Sequence, residues 1–147
     1  MIWPFRRKSK KRMARIVIDE PIKNSTRVSV LKALKQIEDR EFPALIVRID
    51  SPGGTVGDSQ EIYSAIKRLK DKGCKVIASF GNISASGGVY IGVASDKIVA
   101  NPGTITGSIG VIIRGNNLSE LLDKVGIKFE TVKSGVFKDI LSPDKPL

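Results

Sequence analysis

The segment CKVIASFGNISASGGVYIGVASDKIV, residues 74–99, decides the fold class. It begins with an apolar run typical of a buried strand, turns at Ser86-Gly87-Gly88, and continues into an apolar stretch typical of a short helix. A second strand is predicted at 97–101. A strand followed by a helix and another strand predicts a right-handed crossover unit. Ser86 then lies at the carboxyl end of a strand, where parallel α/β sheets carry reactive groups.

The same alternation of strands and helices continues on both sides of this segment. It predicts an α/β fold of repeated βαβ units, with a mostly parallel sheet flanked by helices. The predicted strands are 15–22, 43–50 and 128–135, with a glycine-broken loop at 102–113 that enters another strand. The predicted helices are 25–40, capped by Ser25 with Val28, Leu31, Leu34 and Ile37 inward; 55–73, with Ile62, Ile66 and Leu69 inward; and 117–126, with Leu118, Leu121 and Leu122 inward.

The residue counts exclude several kinds of site. The 147 residues include no histidine and one cysteine, so a Ser-His-Asp triad and an intrachain disulfide are both excluded within this chain. The single cysteine, Cys74, stands in an apolar run and is predicted to be a reduced core residue. Without histidine or a cysteine cluster, we expect no metal site and no cofactor.

Positive charge is concentrated at the N-terminus. Seven basic residues precede the first acid, Asp19, and leave a net +3 of the total +10 for the rest of the chain. We expect residues 1–13 to form a disordered basic arm that contacts an anionic membrane surface, since Trp3 and Phe5 accompany the charges. No apolar stretch is long enough to span a bilayer, and no secretory signal pattern is present, so we expect a cytoplasmic or peripherally membrane-associated protein. The seven basic residues before Asp19 are Arg6, Arg7, Lys8, Lys10, Lys11, Arg12 and Arg15.

Two glycine turns come after predicted strands and suggest an acyl-transfer site. The first is DSPGG at 50–54, and the second is ISASGG at 83–88. Glycine lets a backbone N–H approach a substrate closely, and paired N–H groups stabilise the oxyanion of acyl transfer. Gly54 and Gly87 are therefore the candidate donors, and Ser86 is the candidate nucleophile.

A serine nucleophile needs a base, and the chain has no histidine to supply one. A lysine amine serves once burial lowers its pKa from about 10.4. Lys138 lies between apolar neighbours at 136–137 and 140–141, and Lys133 is a second candidate. Asp139 beside Lys138 favours the charged amine, so the local sequence leaves both lysines open.

Four stretches, in order, resemble the signal peptide peptidase A family of serine proteases, peptidase family S49. They are DSPGG at 50–54, ASGG at 85–88 with Tyr90 after it, SDKIVANPGTITGSIGV at 95–111, and KSGVFKDILSP at 133–143. The resemblance extends from about residue 14 to the C-terminus, so it implies a single peptidase domain at 14–147. It also implies a fold of the ClpP/crotonase-like superfamily.

The resemblance assigns roles to five residues. It makes Ser86 the nucleophile, Lys138 the general base and Ser108 a serine that orients the lysine, with Gly54 and Gly87 in the oxyanion hole. The implied activity is hydrolysis of peptide bonds in signal peptides or other short, apolar or unfolded peptides. Family members form rings, in some of which the dyad is completed across subunits, so the resemblance implies a homo-oligomer.

This sequence departs from the family pattern in three respects. Val89 stands where family members commonly carry tyrosine. Many members have an N-terminal membrane span that is not found here, and members normally continue past the SP of KSGVFKDILSP with further helices. We therefore expect an altered pocket and a domain shortened at the C-terminus.

Two other classes of function compete with a peptidase. A crotonase-type acyl-CoA enzyme would use the same two oxyanion turns but needs no nucleophilic serine, so a fluorophosphonate label on Ser86 would exclude it. A non-catalytic scaffold that binds anionic lipid or nucleic acid through the basic arm would lose affinity in salt. Aromatic residues make up only 5% of the chain, which disfavours nucleic acid as a partner.

Overall fold

A computed structural model describes residues 12–145 of the chain. Residues 1–11, which hold most of the basic run, lie outside the described part. The described elements are β1 Ala14–Ile18, α1 Asn24–Asp39, β2 Ala44–Ser51, α2 Val56–Asp71, β3 Lys75–Ala85, α3 Gly87–Gly92, β4 Lys97–Val99, β5 Ile105–Gly107 and α4 Ser119–Lys124.

The five strands form one parallel sheet in the order β1-β2-β3-β4, and β5 also pairs with β3. β4 pairs with the first half of β3, at Ile77–Ser79, and β5 pairs with its last residues, Ile83–Ala85. Each of the first three strands is followed by a helix, as the crossover pattern requires. The predicted α/β class with a parallel sheet flanked by helices is confirmed.

The core lies between one face of the sheet and the two long helices. β2 alternates strictly, with its odd-numbered residues Leu45, Val47, Ile49 and Ser51 buried and its even-numbered residues partly exposed. α2 presents Ile62, Ile66 and Leu69 to this core, as predicted, and Gly73 ends the segment at φ +92°. The buried Cys74 thiol is a core group, and burial is the main cause that raises its pKa.

Helix α1 differs from its prediction in its cap and in its inward face. It begins at Asn24 after Lys23, and no side chain caps it. The prediction placed Val28 on the inward face, but the structure buries Val30 instead. The buried residues of α1 recur at 26, 30, 34 and 37, on the face that contacts β1 and α2. Val28 is instead 53% exposed.

Two predictions for the last third of the chain differ from the structure: the predicted strand is absent from the described residues, and the predicted helix is shorter. Residues 128–135 are not a strand, although they alternate, because no strand of the described residues pairs with them and an unpaired strand leaves its backbone groups unbonded. The helix predicted at 117–126 shrinks to Ser119–Lys124, and none of its side chains is fully buried. The segment 102–113 contributes only the short strand β5.

The chain divides into two compact units at Gly110. The first unit holds the sheet and α1 to α3, and the second, residues 111–147, holds α4 and irregular backbone. Among the described residues, no helix combines the length and the apolar character needed to cross a membrane.

Candidate active site

Ser86 lies where β3 ends and α3 begins, in a backbone conformation that is unfavourable for a residue with a side chain. Its φ is +50° and its ψ is −117°. The Ser86 N–H donates to the Gly107 carbonyl at 2.8 Å, which extends the β3–β5 ladder, and the Ser86 carbonyl accepts the Tyr90 N–H at 3.0 Å. Strained residues of this kind occur chiefly at functional sites. Ser86 as a whole is half-buried, so the residue is not sealed inside the core.

The two glycine turns meet at Ser86. A Cβ added to Gly53 would lie 2.8 Å from both the Ser86 Cβ and the Gly87 nitrogen, and one added to Gly87 would lie 3.4 Å from the Gly54 nitrogen. Within residues 12–145, neither the Gly54 nor the Gly87 N–H donates to an acceptor of the chain. Two free N–H groups next to one hydroxyl are the arrangement that an oxyanion hole needs.

The first turn is fixed to the N-terminal part of the chain around Ile22. The Ile22 N–H donates to the Gly53 carbonyl at 2.9 Å, and the Ile22 carbonyl accepts the Thr55 N–H at 2.9 Å. This contact is so close that a Cβ on Gly54 would lie 1.9 Å from the Ile22 carbonyl oxygen. Only glycine fits at this position, and the tight contact keeps the Gly54 N–H in place.

Sequence reasoning missed two buried serines beneath these turns. The Ser51 hydroxyl donates to the Glu20 carbonyl at 2.7 Å and accepts the Gly53 N–H at 3.2 Å, so it supports the first turn. Ser84 pairs with Ser51 across β2 and β3 and is fully buried, and its hydroxyl has no partner among the described residues. The available signal was polarity at positions where the strand alternation calls for an apolar core residue.

Ser108 comes directly after β5. It has φ +52°, close to the φ of Ser86, and it is exposed. Because Ala85 is paired with Gly107 in the parallel ladder, Ser86 and Ser108 occupy equivalent positions at the ends of neighbouring strands. The structure therefore brings together four of the five predicted site residues, Ser86, Ser108, Gly54 and Gly87, in the first unit.

The fifth, Lys138, belongs to the second unit and is exposed in the single chain. The side chains expected to shield it are exposed as well, with Val136 and Phe137 each at 77%. Asp139 is engaged elsewhere: its carboxylate forms ion pairs with Lys133 and Lys145, and these hydrogen bonds lower the pKa of Asp139 to about 2. The neighbouring negative charge is therefore paired with lysines other than Lys138.

No group of three or more histidine, cysteine, aspartate or glutamate side chains is positioned to hold a metal ion within residues 12–145. The candidate site consists of hydroxyl groups and backbone N–H groups. Groups of these two kinds can carry out nucleophilic attack and oxyanion stabilisation.

Comparisons with solved structures find the same fold in proteases. A membrane protease specific for a stomatin homolog from Pyrococcus horikoshii is 26% identical, with a TM-score of 0.56 over 67% of this chain and 48% of that chain. ClpP1 from Listeria monocytogenes superimposes with a TM-score of 0.52 over 62% of this chain and 59% of that chain, and at 21% identity it shows the fold alone.

Comparisons of sequence extend over the whole chain. A Synechocystis sp. protein provisionally named a protease is 62% identical over 147 residues, which are 100% of this chain and 53% of that protein. The chain spans about half or less of the length of the curated relatives it matches. The model of peptidase family S49 matches residues 68–147, which include Ser86, Ser108 and Lys138. The chain therefore belongs to peptidase family S49.

Proposed function

We propose that this chain carries the catalytic serine, base and oxyanion hole of a serine endopeptidase. The observation that supports this most directly is the strained Ser86 next to the unbonded N–H groups of Gly54 and Gly87. A serine in a plain turn has no need of a positive φ, and a glycine turn that only reverses the chain has no need to place a free N–H beside a hydroxyl.

The proposed mechanism is acyl transfer through a covalent intermediate. The neutral amine of Lys138 accepts the Ser86 proton while the Ser86 oxygen forms a bond to the peptide carbonyl carbon. The resulting oxyanion accepts hydrogen bonds from the Gly54 and Gly87 N–H groups. Lys138 then returns the proton to the leaving amine as the C–N bond breaks. Water, deprotonated by the same lysine, forms a bond to the acyl carbon, and the lysine gives this proton to the Ser86 oxygen as the bond between Ser86 and the acyl group breaks.

Ser108 is proposed to orient the lysine amine. Its position at the end of β5, beside the end of β3, supports this role because a hydroxyl there can hydrogen-bond a base that also reaches Ser86. In the single chain Lys138 is exposed, so the burial that a neutral amine requires must come from another subunit or from chain outside the described residues.

The proposed substrates are apolar or unfolded peptides, including signal peptides. β5 is a short edge strand, and its far side has no partner among the described residues, so an extended peptide can add to it. Ile105 on this strand is 61% exposed and offers an apolar contact near Ser86. The proposed partners are further copies of this chain, together with an anionic membrane surface contacted by the basic residues before Asp19.

The test is cleavage of an apolar fluorogenic peptide by the wild type, Ser86→Ala, Lys138→Ala and Lys133→Ala proteins. We expect Ser86→Ala and Lys138→Ala each to reduce kcat by at least about 1000-fold, because the loss of either the nucleophile or its base abolishes the same catalytic step. The matched control Lys133→Ala should retain kcat within about twofold, since Lys133 pairs with Asp139. Loss of activity in Lys133→Ala with retention in Lys138→Ala would reassign the base. A wild-type Ser86 that a fluorophosphonate does not label would contradict the proposal.

A further inference from the structure

The register between β2 and β3 shifts directly before Ser86. Ile49 of β2 pairs with Phe80 of β3, and Ser51 of β2 pairs with Ser84 of β3. Between these two pairs the chain advances by two residues in β2 and by four residues in β3. The extra residues lie within Gly81–Ile83 and form a bulge in β3. A bulge bends its strand and redirects the chain beyond it, and bulges are frequent next to active sites. Here the chain beyond the bulge leads directly to Ser86.

Asp50 holds this bulge from the β2 side. The Ile83 N–H donates to Asp50 Oδ1 at 3.0 Å. The backbone N–H of Ile83, and next to it that of Asn82, lower the pKa of Asp50, so the group is ionised at neutral pH. The carboxylate therefore replaces the ladder acceptor that the bulge removes.

Two further features fit the same arrangement. A Cβ on Gly81 would lie 2.4 Å from the Asp50 carboxyl carbon, so the close approach of Asp50 requires glycine there. From the segment just before β5, the Thr104 hydroxyl donates to the Gly81 carbonyl at 2.8 Å. The bulge thus has one side-chain partner for its N–H groups and another for its carbonyl.

We propose that Asp50 is a positioning residue for Ser86: its carboxylate holds the β3 bulge in the shape that keeps the Ser86 hydroxyl beside the Gly54 and Gly87 N–H groups, where it can attack a carbonyl bound by them. This inference rests on the proposed function. Asp50 itself lies on the face of β2 opposite Ser51 and the core, so it acts through the backbone of 81–85 and does not contact substrate.

The chain offers a matched control at the other end of the same strand. Asp96 Oδ2 accepts the Val76 N–H of β3 at 2.8 Å, and this bond is the main cause that lowers the pKa of Asp96. Asp50→Asn and Asp96→Asn therefore make the same chemical change to the same type of contact on one strand. They differ in which end of β3 they loosen.

The experiment measures kcat and KM on the apolar peptide, and amide hydrogen exchange in the whole chain. For Asp50→Asn we expect kcat to fall about 10- to 100-fold with KM within about twofold, because a small misplacement of a nucleophile costs rate and leaves binding unchanged. Exchange should accelerate at the Ile83 and Ser86 amides. For Asp96→Asn, exchange should accelerate at Val76, with kcat within about twofold of the wild type.

Thr104→Val gives a second route to the same result if Asp50→Asn does not fold, since it removes the Gly81 carbonyl's partner and leaves Asp50 unchanged. We expect it to reduce kcat and to speed exchange at Ser86. Equal kcat and equal Ser86 exchange in Asp50→Asn and Asp96→Asn would overturn the inference. A wild-type chain that neither cleaves peptide nor accepts the fluorophosphonate would contradict the proposed function instead, and hydrogen exchange would still decide the role of Asp50.

Discussion

At the scale of the residue, the site is built from backbone conformations that the sequence does not usually permit. Ser86 and Ser108 both have positive φ, and Gly54 has a neighbour that leaves no room for a Cβ. The positive φ of Ser86 and of Ser108 opposes stability and is held in place by the surrounding strands and turns. Conformational strain of this kind costs about 1–3 kcal/mol per residue. Its persistence here is consistent with a site that needs the hydroxyl at one fixed position.

The strain at Ser86 predicts that glycine stabilises the protein at that position. Ser86→Gly removes the side chain that clashes at φ +50°, whereas Ser86→Ala keeps a Cβ and hence the strain. After the greater entropy of unfolded glycine is allowed for, we expect Ser86→Gly to raise the free energy of unfolding by about 1 kcal/mol relative to Ser86→Ala, with both proteins inactive. Urea denaturation measures the difference.

A serine in ordinary helical backbone provides the control for this measurement. Ser64 lies inside α2, where the free energy of unfolding of Ser64→Gly should be about 1 kcal/mol lower than that of Ser64→Ala. The two substitutions are thus expected to have opposite signs. A Ser86→Gly protein less stable than Ser86→Ala would contradict the claim that the backbone at Ser86 is strained.

At the scale of the element, β3 connects the start of the sheet to the site, and carboxylates hold it at both ends. At the start of β3, the Asp96 carboxylate accepts the Val76 N–H, and the Lys70 Nζ lies 3.8 Å from Asp96 Oδ1. The bond from Val76 is the largest cause that lowers the pKa of Asp96 in the folded chain, with Lys70 a smaller one. A carboxyl group with a lowered folded pKa stabilises the native state at a pH above its unfolded pKa, and this contribution is lost as the pH falls through the folded value.

The start of β3 should therefore be sensitive to acid. The contribution of Asp96 is fully present at neutral pH and should decline once the pH falls below about 4, the pKa of an unfolded aspartate. We expect the free energy of unfolding of Asp96→Asn to decline less steeply than that of the wild type in this range, because an amide does not titrate. Urea denaturation at a series of pH values gives both curves. Parallel curves would show that the Val76 contact does not distinguish the charged carboxylate from the neutral acid.

The strands and helices of the first unit were predictable because each buries one face. The alternation in β2 and the spacing of Ile62, Ile66 and Leu69 in α2 leave one consistent arrangement, and Cys74 belongs to the same core. The bulge before Ser86 was not predictable, since it depends on a side chain of one strand meeting the backbone of another. Residues 128–135 were mistaken for a strand because alternation does not reveal whether a partner strand exists.

At the scale of the whole molecule, the two compact units differ in how they bury apolar side chains. The first has a continuous core, whereas the second exposes most of its large apolar residues, among them Ile112, Val132 and Phe137. Large apolar side chains exposed in such numbers within one unit are typical of a surface that is covered in an assembly. Four of the exposed residues, Val136, Phe137, Ile140 and Leu141, flank in sequence Lys138, the one predicted site residue that the second unit contributes. This supports the proposal that assembly supplies the apolar cover for the base.

A mixing experiment tests whether the proposed dyad is completed between copies of the chain. Ser86→Ala retains Lys138, and Lys138→Ala retains Ser86, so each variant lacks a different half of the dyad. If the serine of one copy uses the lysine of the next, a ring assembled at random from equal amounts of the two should recover about a quarter of the wild-type activity, because a quarter of the junctions pair an intact serine with an intact lysine. The measurement is peptide cleavage after the two variants are unfolded and refolded together, with separately refolded samples as controls. A double variant, Ser86→Ala with Lys138→Ala, mixed with the wild type at the same total concentration, gives the dilution control. An active wild type with no recovery in the mixture would show that each chain uses its own lysine.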